Sequence, residues 1–439
     1  MLHAQCMRQR KVNKLHLFEH QQNALNRTKG KNRVAYYHDM GLGKTFTGSE
    51  KMKELGANVN LIICQKSKIN DWIEHFFHNY NEDFFRFDLT YKNGISKFFD
   101  FVSLNLPCVG FINYELTWRR KELLKLKDFT LMLDESSLIQ NDTAKQSKFI
   151  LKLQPKNVVL LSGTPTSGKY ENLWSQAKLL GWDISKKLYN SQYINWTNLN
   201  LKDGSKIKVV DKNNPYKNVE RLKRKFREYG GDFIKTDDVI NLPDQTYVNV
   251  NVDKSKEYVE FKKNSIIKIG DNELIGNTAL TKILYLRQLC GQYSEAKLEA
   301  FKNLLESTNE RLIVFYNFNQ ELYELRKIAE SLNKPISFVN GSEFKDLTNY
   351  ENWSDSVTFV QYQAGSRGLN LQKANKIIYF TLPLSSELFE QSKKRIHRIG
   401  QKNNCIYYIM QCKGTIEEKI YKVLQMRQDY TMKLFEEGV

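Results

Sequence analysis

Short apolar runs rich in β-branched and aromatic residues alternate along this chain with longer stretches whose apolar positions recur at helical spacing. In the first half the runs are Val34–Tyr37, Leu61–Cys64, Cys108–Ile112, Thr130–Leu133 and Val158–Ser162. In the second half they are Arg311–Tyr316, Pro335–Val339, Ser356–Gln361, Lys376–Thr381 and Cys405–Gln411. Between them Asn70–Tyr80, Glu321–Leu332 and Glu387–Ile399 read as helices. Runs this continuous suit strands buried on both faces, and strand–helix alternation implies parallel sheets covered by helices. Two such series predict an α/β chain of two parallel-sheet lobes, residues 1–238 and 239–439. A polar, basic region at about 183–230 fits neither series and reads as a small, mainly helical insertion in the first lobe.

Open parallel sheets bind ligands at the carboxyl ends of their strands, and the candidate chemistry lies there. Val34–Tyr37 runs into His38-Asp-Met-Gly-Leu-Gly-Lys-Thr45. Gly41 and Gly43 free the backbone from Met40 through Leu42 to turn its N–H groups toward a phosphate. Lys44 would reach the β/γ-phosphates and the Thr45 hydroxyl would ligate Mg²⁺. This is a variant P-loop, because His38 stands where the general pattern has Gly. After Thr130–Leu133 come Asp134 and Glu135. Asp134 is read as holding Mg²⁺ through water, and Glu135 as polarising the attacking water. Such a pair also suits a helix N-terminus; the P-loop upstream decides for the catalytic reading. Ser162-Gly163-Thr164-Pro165 forms a tight loop able to sense the γ-phosphate. In the second lobe Gln391, Arg395 and Arg398 fall at i, i+4 and i+7. On one helix they would share a face, so both arginines could act as fingers on one phosphate.

A formal charge of +18 points to a polyanionic partner. No apolar run approaches the roughly 20 residues of a membrane span, so nucleic acid is preferred over a membrane. Cys6, Cys64, Cys108, Cys290, Cys405 and Cys412 are scattered without a CxxC pair, which predicts reduced thiols and no zinc site. His75 and His78 have ligand spacing but read as one helix face. No secretory signal is apparent at the N-terminus.

The order of these motifs resembles superfamily-two helicases, and specifically the Swi/Snf-like ATPases. Asp39–Thr45 is similar to the family's P-loop nearly letter for letter, and Leu160–Pro165 to its Ser-Gly-Thr-Pro coupling motif. Leu17–Gln21, Ile63–Trp72, Phe111–Glu115, Phe233–Pro243, Leu284–Cys290, Ala364–Leu371 and Arg395–Gln401 resemble its further segments. The resemblance implies two RecA-like lobes and the use of ATP and Mg²⁺. Gln21 would read the adenine, and Gly368 and Gln391 would border the nucleotide. Motion would be ATP-driven along double-stranded DNA, with single strands or RNA as the lesser alternative and no obligatory strand separation. Candidate DNA contacts are Lys66, Lys68, Arg119, Arg120, Ser162, Thr164 and Asn370, with the basic run Arg221–Arg227 as a further possibility. Ser162, Gly163 and Thr164 would couple nucleotide state to movement. The compact form looks most like stand-alone versions carried by bacteria and phages, which implies a cytoplasmic setting. Two departures stand out: Ser136-Ser137 where relatives have Ala-His, which puts coupling in question, and Ser366-Arg367 in place of small or apolar residues. A strand-separating helicase, or a nucleotide-gated DNA clamp with weak turnover, are the alternatives.

Overall fold

A computed structural model of the chain describes residues 16–200, 204–270, 272–341, 344–364 and 369–435. Its strands are β1 Arg33–His38, β2 Val59–Cys64, β3 Phe85–Asp88, β4 Cys108–Asn113, β5 Thr130–Asp134, β6 Asn157–Leu161, β7 Trp196–Asn200, β8 Lys206–Val210 and β9 Gly231–Ile234 in the first half. The second half has β10 Gln245–Val252, β11 Ile266–Ile269, β12 Asn272–Ile275, β13 Leu312–Tyr316, β14 Ile336–Asn340, β15 Phe344–Asp346, β16 Val357–Gln361, β17 Lys376–Tyr379 and β18 Cys405–Cys412.

Seven strands form one parallel sheet in the order β3-β4-β2-β5-β6-β1-β9. Seven more form a second sheet, β10-β18-β17-β13-β16-β14-β15, parallel except where β15 turns back against β14. The central strands are the apolar runs read from the sequence, and each sheet carries an apolar cluster on both faces. This is the two-lobed RecA-like architecture that the resemblance implies.

Strands missed by periodicity lie at sheet edges or in hairpins. β3 and β9 have four residues each, and β10 alternates apolar and polar positions with one face exposed. An edge strand needs only half its residues apolar, so it lacks the continuous run that marks a central strand.

The insertion of the first lobe is not purely helical. Helices Lys186–Tyr193 and Val219–Glu228 flank the antiparallel hairpin β7–β8. Trp182, Tyr189, Tyr193, Leu222 and Phe226 are buried and continuous with Tyr37 and the first-lobe core. In the basic run, Lys223 is buried against Glu220 and Arg227 lies over the Phe233 ring, so two of its five cations serve the fold. The second lobe has its own small insertion, β11–β12 between helices Lys256–Asn264 and Ala279–Cys290.

Glu321 begins the helix Asn319–Ser331 from inside the second lobe. One of its oxygens accepts from the Asn317 N–H at 2.9 Å, the Phe318 N–H at 3.2 Å and the Thr381 hydroxyl at 2.9 Å. Burial nevertheless pushes its carboxyl up to about 7, from 4.5. The folded state therefore holds this proton more tightly than the unfolded chain. The resulting stability is complete below about 4.5 and lost as pH rises to about 7. Urea unfolding of the second lobe should show that decline, and Glu321→Gln should remove this component of it.

Candidate nucleotide site between the lobes

β1 ends at His38, and the chain then turns through two glycines in left-handed backbone, Gly41 (φ +88) and Gly43 (φ +70), before the helix Lys44–Glu54 begins. His38 does not act as the missing P-loop glycine. It is buried at the end of the strand, with its ring Nε2 2.7 Å from Asp232, which also pairs with Arg27 at 2.6 Å. Its carbonyl accepts the Lys44 ammonium at 2.8 Å, with the Asp39 carbonyl at 3.2 Å. The loop is braced from behind by Gln21, whose amide donates to the carbonyls of Leu42 (3.3 Å) and Gly43 (3.0 Å) and accepts from the Phe18 N–H. Leu42 points into the core. A Cβ on Gly43 would lie 2.3 Å from the Gln21 amide nitrogen, which explains the glycine independently of its φ. In this structure the Gln21 amide is committed to the loop backbone.

Asp134 and Glu135 follow β5 at the same sheet end. Glu135 sits in left-handed backbone (φ 54, ψ 61), a strained conformation for a side chain of this size. Tyr114 braces it, donating to the carbonyls of Asp134 (2.8 Å) and Glu135 (3.3 Å). The Trp72 indole N–H donates to the Asp134 carboxylate at 2.8 Å. Both aromatics come from segments that the resemblance had matched to the family, Ile63–Trp72 and Phe111–Glu115. Burial pushes Glu135 up to about 7, opposed by Lys44 and reinforced by Asp134 and Glu387. Burial likewise raises Asp134 and lowers Lys44.

The second lobe closes the site. Gln391, Lys394, Arg395 and Arg398 face Met40, Gly41, Gly43, Lys44, Thr45, Asp134 and Glu135 across a cleft of about 350 Å³. The expected single helix is corrected here. It ends at Lys393, and both arginines lie in the turns beyond it, where Arg395 and Arg398 share the Leu369 carbonyl at 3.5 and 3.4 Å. The turns bring both guanidiniums into the cleft although helical spacing no longer applies. Burial and the neighbouring Arg398 push Arg395 down to about 10, a strain that a polyphosphate between them would relieve.

Several residues that the sequence did not single out complete the junction. Lys394 reaches Asp39 at 3.3 Å across the lobes, and Thr236 donates to the same carboxylate. Glu387 accepts from Ser137 of the first lobe at 3.3 Å and from Gln391 at 3.3 Å. No motif spacing announces the contacts of Lys394 with Asp39 and of Glu387 with Ser137, because each joins residues far apart in the chain.

The candidate DNA residues are dispersed. Ser162 and Thr164 are buried in this conformation, and Ser162 donates to Glu135 at 3.4 Å. A Cβ added at Gly163 would meet the Met40 side chain and the Lys44 ammonium. Lys68 pairs with Asp71 and lines the nucleotide cleft, and Arg120 donates to the Thr90 carbonyl at 2.6 Å. Lys66 and Arg119 are exposed, Arg119 lying over Trp118. Asn370 is exposed and bonded to Arg398. Gly368 and the Ser366-Arg367 departure lie outside the described residues.

The SNF2-related domain model matches residues 22–295, more than half of the chain. The chain belongs to the SNF2-related family. The helicase conserved C-terminal domain follows at residues 296–400, so this SNF2-related protein carries the ATP-hydrolysing core of superfamily-two helicases. YwqA of Bacillus subtilis is 24% identical over 89% of this chain and 45% of its own length. The ISWI chromatin-remodeling complex ATPase ISW1 of Saccharomyces cerevisiae is 23% identical over 89% of this chain and 38% of its own. This SNF2-related chain thus spans less than half the length of these curated relatives. A SWI2/SNF2 ATPase core of Sulfolobus solfataricus, solved in complex with dsDNA, is 21% identical over 96% of this chain and 93% of that one, with a TM-score of 0.44. Among the described residues no helix is long and apolar enough to cross a membrane.

Gln21→Ala removes two hydrogen bonds to the loop, so it should weaken ATP and GTP binding alike, by about tenfold. Fluorescent-nucleotide titration checks this; a loss confined to ATP would return Gln21 to the base.

Proposed function

We propose that this chain is a DNA-stimulated ATPase that uses hydrolysis between its lobes to track along double-stranded DNA. One observation carries the reading: the P-loop and Asp-Glu pair of the first lobe and Arg395 and Arg398 of the second line the same cleft. A site divided in this way is completed only when the lobes approach, so nucleotide binding and lobe closure become one event.

The residues have distinct tasks in this reading. Lys44 leaves the carbonyls of His38 and Asp39 to meet the β/γ-phosphates. Glu135, in its ionised form, orients the attacking water. Arg395 and Arg398 stabilise charge on the transferred phosphoryl group. The Thr45 hydroxyl and Asp134 carboxylate are hard oxygen donors on one wall of the cleft, a set suited to Mg²⁺. When bound, Mg²⁺ would draw charge from the phosphate oxygens. Support for nucleic acid as the partner comes from the +18 charge and from exposed cations such as Lys66 and Arg119. Such contacts grip a backbone without reading bases.

A second reading, strand separation, gains one observation. The hairpin β7–β8 exposes Leu199 and Ile207 beside Lys206 and Lys208, the composition of a wedge against unstacked bases.

Steady-state ATPase with blunt duplex, single-stranded DNA and RNA at low and moderate salt tests these readings. Duplex should stimulate most, and less as salt rises. Stimulation by single strands alone, with unwinding of a forked substrate, would favour the wedge. Glu135→Gln should retain ATP and lose turnover while holding DNA. Arg398→Ala should lower turnover by about 10³ without loss of DNA affinity, measured by fluorescence anisotropy.

A further inference from the structure

Ser136, directly after the acidic pair, is fully buried and donates to the Gln176 carboxamide oxygen at 2.8 Å. Tyr37, one residue from the end of β1, donates to the same oxygen at 3.0 Å. The Gln176 amide nitrogen donates in turn to the Pro165 carbonyl at 2.8 Å. One carboxamide, itself fully buried, thereby joins the strand leading to the P-loop, the Asp-Glu loop and the Ser-Gly-Thr-Pro loop.

The connection closes on itself. From Pro165 the chain runs back to Thr164, whose N–H donates to the Ser162 hydroxyl at 3.2 Å; Ser162 donates to Glu135 at 3.4 Å. Glu135 is covalently followed by Ser136, which returns to Gln176. Glu135 is therefore held from both sides, through its carboxylate by Ser162 and through its backbone neighbour by Gln176. Its left-handed backbone has to be held by its surroundings. A buried ring of this kind cannot lose one bond cheaply, because the groups left behind have no water to turn to.

We propose that Gln176 is a positioning residue for ATP hydrolysis, transmitting the position of the Ser-Gly-Thr-Pro loop to Glu135 through Ser136. The inference rests on the reading of Glu135 as the residue that orients water, and it adds the path by which loop movement reaches that carboxylate.

Ser136→Ala removes one bond of the ring, and Gln176→Met removes the carboxamide at nearly constant volume. Ser136→Ala should lower kcat for ATP about tenfold, the equivalent of one hydrogen bond, and Gln176→Met, which removes the bonds to Tyr37, Ser136 and Pro165, at least as much, while KM and nucleotide affinity change less than about twofold. Gln176→Glu keeps an acceptor for Ser136 and regains a donor for Pro165 only when protonated. Its kcat relative to wild type should therefore recover as the pH is lowered, which a mere packing role would not produce. Wild-type kcat in Ser136→Ala would overturn the proposal. So would losses of kcat and nucleotide affinity that fall together with Tm. If Gln176→Met does not fold, Ser136→Ala and Gln176→Glu decide. A wild-type chain that hydrolyses ATP but ignores duplex DNA would remove the translocase reading and leave this test intact. Absence of any wild-type turnover would overturn both.

Discussion

Two adjacent carboxylates, half-buried in the cleft at the end of one strand, are the constraint on which this molecule depends. Asp134 and Glu135 repel each other and lose hydration in the cleft, and both are raised by burial. Lys44 is their principal counter-charge, and burial lowers Lys44 in turn. Each would be less stable there alone, since partial loss of hydration is costly for an unpaired charge. The P-loop therefore has to bring Lys44 to this place. Tyr114 and Trp72 have to hold the carboxylates, and the loop carrying Ser162 has to stay against them. The parallel sheet meets these demands together, because it delivers the carboxyl ends of β1, β5 and β6 side by side.

The second lobe answers the same charges from outside. Arg395, Arg398 and Lys394 stand where an anion of several charges would complete the balance, and Lys394 already pairs with Asp39. Glu387 works in the opposite sense, adding negative charge near Glu135 while accepting from Ser137. The junction thus contains both attraction and repulsion, a balance that a bound polyphosphate would shift. An interface balanced in this way suits alternation between two arrangements better than one fixed closure.

The central strands, the P-loop, the acidic pair and the two arginines were legible in the sequence because each is a local pattern. A buried parallel strand needs a continuous apolar run, and a phosphate loop needs glycines beside Lys-Thr. What failed was whatever depended on an edge or a turn. β3, β9 and β10 escaped because edge strands tolerate polar residues, and the β7–β8 hairpin escaped within a stretch read as helical. Arg395 and Arg398 line the cleft although the helix expected to carry them stops at Lys393.

By itself the sequence determined the α/β class, the two series of strands and the identity of the charged groups at their ends. Those features follow from spacing within a few residues, where side-chain direction is set by the local backbone. Only the tertiary structure decided that Gln21 braces the P-loop, that Ser162 and Thr164 are buried, and that Gln176, Lys394 and Glu387 belong to the site. These are contacts between residues distant in the chain. Their energy comes from burying polar groups against specific partners, and no periodicity along the chain records which partner folding will supply.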